Sequence, residues 1–118
     1  ILLTTSTLSS SRIFKNLNKL DVLNLAHNQL SSLPEGVFQG LTELDELHLN
    51  NNLLNILSKG VFQDLTKLKE LHLKINQLDT LVEGVFQGLT NLKELHLQKL
   101  LRQLSMTSFF LLLFAKHL

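Results

Sequence analysis

Leucines dominate the apolar positions of this chain, and they fall in two alternating textures. One is a tight LxxLxL run; the other is a wider spacing broken by Asn, Gly and Phe. The pair returns every 24 residues: Leu20, Leu44, Leu68 and Leu92 align, as do Leu23, Leu47, Leu71 and Leu95, and Leu25, Leu49, Leu73 and Leu97. Asn28, Asn52 and Asn76 follow, then Leu30, Leu54 and Leu78, then Leu33, Leu57 and Leu81. The unit closes with Gly36, Gly60 and Gly84, Phe38, Phe62 and Phe86, and Leu41, Leu65 and Leu89. The LxL alternation predicts a short strand with one face buried and the middle residue turned outward. The Asn predicts a sharp turn whose backbone groups its amide can satisfy. The Gly-Phe-Leu half predicts a return along the outer side, with a buried Phe in each unit.

A period of this length with this pattern lies within the range of leucine-rich repeats, in which each unit buries its apolar face on its neighbours. The fold class expected is an α/β leucine-rich repeat solenoid: short, curved and right-handed, with a concave parallel β-sheet and an irregular or short-helical convex side. One domain over 1–118 is expected. Residues 1–19 read as a degenerate N-terminal repeat or cap, 20–91 as three full repeats, and 92–118 as a partial repeat and C-terminal cap.

The two ends depart from the pattern differently. Phe14 and Leu17 stand 24 residues before Phe38 and Leu41, so the outer half of the first unit is in register. Its strand half is not; Leu2, Leu3 and Leu8 could supply it with a slip of about a residue, and a Ser/Thr-rich run replaces the Asn turn. At the other end Leu100 stands where Asn belongs and Arg102 where Leu belongs. Phe109 to Phe114 form six consecutive large apolar residues, which predicts either an added cap or a homo-oligomer formed through that end.

The alternation also fixes what the exposed strand face carries: Val22, Asn24 and Ala26; Glu46, His48 and Asn50; Glu70, His72 and Lys74; Glu94, His96 and Gln98. The period makes one column of Glu46, Glu70 and Glu94 and another of His48, His72 and His96, flanked by Asp21, Asp45, Lys69 and Lys93. Three readings stay open. Duplication copies surface residues along with framework. A polar, acidic face could instead recognise sugar hydroxyls, amines or basic groups. The third and least supported is a divalent ion held by His and Glu of adjacent strands, for which no short-range ligand spacing exists. No metal and no cofactor are expected. The candidate ligand-binding residues are Asn24, Asp45, Glu46, His48, Asn50, Glu70, His72, Lys74, Glu94, His96 and Gln98.

Composition narrows the function classes. Net charge is only +1, but residues 20–97 hold all ten acids and five of the eleven bases, so the repeat body is acidic and the ends basic. The basic ends have no interleaved aromatics, and no nucleic-acid partner is expected. Cysteine is absent, which excludes disulfides and thiolate metal sites. The longest apolar run, Phe109 to Ala115, is far too short to span a membrane. No nucleophile elbow, phosphate loop or HExxH motif is present, and an open sheet offers no water-excluding pocket, so no enzymatic activity is expected.

The stretch LPEGVFQGLTELDELHLNNN, with NQLSSLPEGVF before it, resembles the repeat module of the variable lymphocyte receptors of jawless vertebrates and related proteins of early chordates. The resemblance covers residues 20–98. It implies a secreted or surface-associated, extracellular recognition molecule, binding microbial-surface carbohydrate or protein antigen on the concave face. The family's disulfide-bonded caps have no counterpart here. Its paratopes use Tyr and Trp, which this chain lacks. The alternative is a structural or adhesive leucine-rich protein that self-associates through uncapped ends.

Overall fold

The computed structural model describes residues 2–9, 13–78 and 81–97. Four strands form in chain order: β1 (Val22–Asn24), β2 (Glu46–His48), β3 (Glu70–His72) and β4 (Glu94–His96). They make one sheet in the order β1-β2-β3-β4, every pair parallel. The register is the sequence period itself, since Leu23 pairs with Leu47, Leu47 with Leu71 and Leu71 with Leu95. Parallel strands need a long crossover, and here each crossover is the rest of the unit.

The strands are short for a local reason. Three residues on from β1, β2 and β3, the backbone at His27, Asn51 and Ile75 turns left-handed, with φ of 59°, 59° and 56°. That ends extended pairing and swings the next residue, the Asn, into the interior. Asn52 Nδ2 donates to the carbonyls of Leu25 and Leu49 at 3.0 and 3.1 Å, and its Oδ1 accepts from Leu30 N–H at 3.1 Å. Asn76 repeats the arrangement with Leu49, Leu73 and Leu54. Each amide therefore ties its own turn to the preceding unit while satisfying buried backbone groups.

On the convex side, Val37 N–H donates to Pro34, Gln39 N–H to Gly36 and Leu41 N–H to Phe38, a run of tight turns. The turns aim Phe38, Phe62 and Phe86 inward. Phe62 is fully buried, with ring centroids 6.3 Å from both neighbours and planes 11° from parallel. Leucines from both halves fill the space between column and sheet. Burying one such ring is worth roughly 1.5–3 kcal/mol, so three units give a continuous core without a closed globule.

The first unit differs from its expected form. The Ser/Thr-rich run is a short helix, α1 (Thr5–Ser9), and the residues before it do not extend the concave sheet. They pair beside the first Asn turn instead. Leu3 N–H donates to Asn28 Oδ1 at 2.9 Å, and Leu3 C=O accepts from Gln29 N–H. Leu30 makes the same two contacts to Asn52 and Leu53. Leu3 thus takes the place that a strict 24-residue shift would give to Ser6, a slip of three rather than one. The cause is apolar content: Ser6 cannot fill the core position, and Leu8 reaches it through the helix and is 2% exposed. Leu17 stays exposed although Leu41 is buried, because no described unit precedes it.

At the far end Leu95 and Leu97 are half-buried where Leu71 and Leu73 are fully buried. The expected C-terminal cap, with Phe109 to Phe114, and the homo-oligomer contact through it lie outside the described residues.

Candidate functional site on the concave face

A two-residue alternation puts positions 46 and 48 on the same side of β2, and parallel register copies that pair onto β3 and β4. Glu46, Glu70 and Glu94 accordingly form one column, and His48, His72 and His96 the next. The columns are coupled within each strand. His Nε2 meets Glu Oε1 at 3.1 Å in β2 and at 3.2 Å in β3 and β4. An ionised carboxylate can only accept, so Nε2 carries the proton, and Nδ1 of a neutral ring is left with an acceptor lone pair. Between strands the imidazoles stack, with centroids 4.3 and 4.2 Å apart and planes within 11° of parallel. The result is a ladder: Glu–His pairs for rungs, stacked rings for one rail.

The side chains are accessible without being free. His72, in the middle, shows 19% of its side-chain surface, against 31% for Glu70. Each carboxylate keeps Oε2 without a partner among the described residues. The sequence expectation of two merely adjacent columns is thereby refined. Like charges do not simply face each other across strands, because each Glu is bonded to the His two residues on.

The flanking column has a polarity that the total charge hides. Asp45 N–H donates to Asp21, Lys69 N–H to Asp45 and Lys93 N–H to Lys69, all at 2.8 Å, so these four residues make one file. Two acids head it and two lysines end it, with Lys69 Nζ 3.9 Å from Asp45. Farther out on the same edge Lys67 bonds Glu43 at 2.8 Å. The third column carries Ala26, Asn50 and Lys74; Gln98 lies outside the described residues. Asn50 is turned along its own strand, donating to Asn51 Oδ1.

The repeat of β1 interrupts all of this. The register sets Val22 beside Glu46 and Asn24 beside His48. Asn24 folds its amide back, its Oδ1 accepting from Ala26 N–H at 3.0 Å. Val22 is 44% exposed, an apolar residue at the head of a polar sheet. The candidate residues therefore do not form a uniform face, and the step between β1 and β2 is legible only once the columns are aligned.

Among the described residues no three of His, Asp and Glu are placed to hold one metal ion. Stacked parallel rings aim their nitrogens side by side rather than at a common point. No described helix is long and apolar enough to cross a membrane. A groove of roughly 630 Å³ lies on the convex side, between Glu35, Gln39, Lys59, Gln63 and Asp64. It coincides with a change of backbone: Gly36 and Gly40 are left-handed, while Gly60 and Asp64 in the next return are not.

Comparison with known proteins agrees with this architecture. The family model described as "Leucine rich repeat" matches residues 9–54 and 42–99. No curated protein matches the chain. Among chains of solved structure, the one in "Crystal structure of TLR13-ssRNA13 complex" is similar at 34% identity with a TM-score of 0.64. That similarity covers 79% of this chain and 14% of the other, so this chain spans about a seventh of that protein's length.

Proposed function

The chain belongs to the leucine-rich repeat family, and from that premise we propose that it is a non-enzymatic recognition module acting through its concave face. The observation that carries this reading is the ladder of three Glu–His pairs, repeated on an exposed sheet with no framework task. Framework positions in this fold are inward, and the pairs are outward. They present Oε2 and Nδ1 acceptors at a regular interval of about 4.8 Å, the strand spacing. Such a face suits ligands rich in donors: sugar hydroxyls, amines and cationic side chains.

The ligand class proposed is a microbial-surface glycan or protein antigen, met outside the cell, as the resemblance to variable lymphocyte receptors suggests. The solved neighbour is a complex with single-stranded RNA by its title. A phosphate backbone would meet the carboxylate column here with like charge, so RNA is not the ligand we propose. The test is binding of the chain to a glycan panel and to whole bacteria. Glu46→Ala, Glu70→Ala and Glu94→Ala combined should lower binding while leaving the circular dichroism spectrum unchanged, and Lys59→Ala on the convex side should leave both intact. Retained binding in the triple variant would overturn the concave reading.

A second reading, an adhesive protein that self-associates through its ends, is favoured by Leu2, Ile13 and Leu17, all exposed in the first unit. Association that persists in high salt, together with no microbial binding, would select it.

A further inference from the structure

The step at the head of the concave sheet has three features that the repeats of β2, β3 and β4 lack. The first is a missing ring. The stack His96, His72, His48 runs toward β1, where Asn24 occupies the next position and holds its amide against its own backbone. The face of His48 turned away from His72 therefore has no ring upon it. The second is an apolar floor, Val22, exposed beside that position. The third is charge. Asp21 and Glu46 border the step, with Asp45 beside them and 3.9 Å from Lys69, whereas Lys74 and Lys93 lie farther along the sheet.

We propose that this step is a subsite for an arginine side chain of a protein partner. The proposal rests on the reading of the concave face as a recognition surface and names what its head recognises. A guanidinium is planar and keeps its charge, and it stacks on aromatic faces as an ammonium does not. Laid on His48, it continues the ring stack by one position. Its N–H groups then point to Glu46 Oε2, which has no partner among the described residues, and its methylene stem lies over Val22. Farther along the sheet Lys74 and Lys93 repel the same group, so one orientation of the partner is favoured.

The experiment is a nuclear magnetic resonance titration of the full chain with acetyl-arginine amide, and in parallel with acetyl-lysine amide, following the His ring and Val methyl resonances. Saturable shifts at His48 and Val22, absent at His96, are expected, with the arginine compound binding about three-fold or more tighter than the lysine one. Asn24→Arg, which supplies the guanidinium from the chain itself, should abolish the response to added compound. Glu46→Gln should weaken it, with the His48–His72 stack retained. Shifts spread equally over His48 and His96, or equal affinity for the two compounds, would overturn the subsite. If the triple Glu variant loses microbial binding while acetyl-arginine amide moves neither His48 nor Val22, the recognition reading stands and the arginine subsite falls.

Discussion

Leu30 donates its backbone N–H to Oδ1 of Asn52, a side chain of the next unit, at 3.1 Å in a fully buried setting. No other bond of Asn52 is so hard to replace. The carbonyls of Leu25 and Leu49 that it also serves keep a second donor each, from Asn28 and Asn76. Asn52→Ala therefore orphans one N–H and weakens two carbonyls, and should cost about 2–3 kcal/mol in urea unfolding. Asn52→Asp should cost at least as much at neutral pH, because it sets a charge beside two carbonyls. Its deficit should shrink as the pH is lowered into the carboxylate range, where the protonated acid donates again. A pH-independent deficit would show that the donor role is misassigned.

The sequence carried the framework because the framework is periodic. A Leu at 47 and a Leu at 71 announce each other, and register follows without any structural input. The role of Asn as a turn residue was equally readable. That its Oδ1 reaches back 22 residues to Leu30 was not, since the pattern marks positions and not bond partners. The His stack lay half in view: the column was legible, but the in-strand bond from His48 to Glu46 depends on rotamers. The first unit misled for a physical reason. Without Leu at the repeat positions, the chain slid by three residues to bring Leu3 and Leu8 inward, and burial outweighed strict spacing.

The Phe column should show a gradient of sensitivity. Phe62 has a ring on both sides and no exposure, so Phe62→Ala should cost about 3–5 kcal/mol and sharply lower the melting temperature. Phe14, in the first unit, is 8% exposed and should cost less when truncated. Calorimetry of the two variants checks the order; equal losses would mean that the first unit is as tightly packed as the third.

Two glycines at the same repeat position should respond oppositely to alanine. A Cβ at Gly84 would lie 3.2 Å from Gln87 Oε1, and one at Gly60 would lie 3.1 Å from Gln63 Oε1, so space is nearly the same. The backbone is not: φ is +81° at Gly84 and outside the left-handed region at Gly60. Gly84→Ala should cost about 1–2 kcal/mol. Gly60→Ala should be neutral or gain up to about 1 kcal/mol from a less flexible unfolded chain, the exposed Gln63 side chain giving way. Comparing the two denaturation midpoints isolates backbone conformation from crowding.

Ile75 is the one position where a stabilising change can be argued outright. Its φ of 56° places a β-branched residue in the left-handed region, where Cβ crowds the backbone most. Its side chain is 47% exposed, so little apolar burial offsets the strain. The preceding unit carries Asn51 at the equivalent position with φ of 59°, and Asn tolerates that conformation. Ile75→Asn should therefore stabilise the chain by about 1 kcal/mol, and Ile75→Gly should gain less because glycine also loosens the unfolded chain. The turn at 75 aims Asn76 into the core, so relief of strain there should leave the bonds from Asn76 to Leu49 and Leu73 unchanged. Urea midpoints for the three proteins decide it. If Ile75→Asn is destabilising, the contacts of the Ile side chain outweigh the strain of its backbone, and the left-handed turn is held by packing and not merely endured.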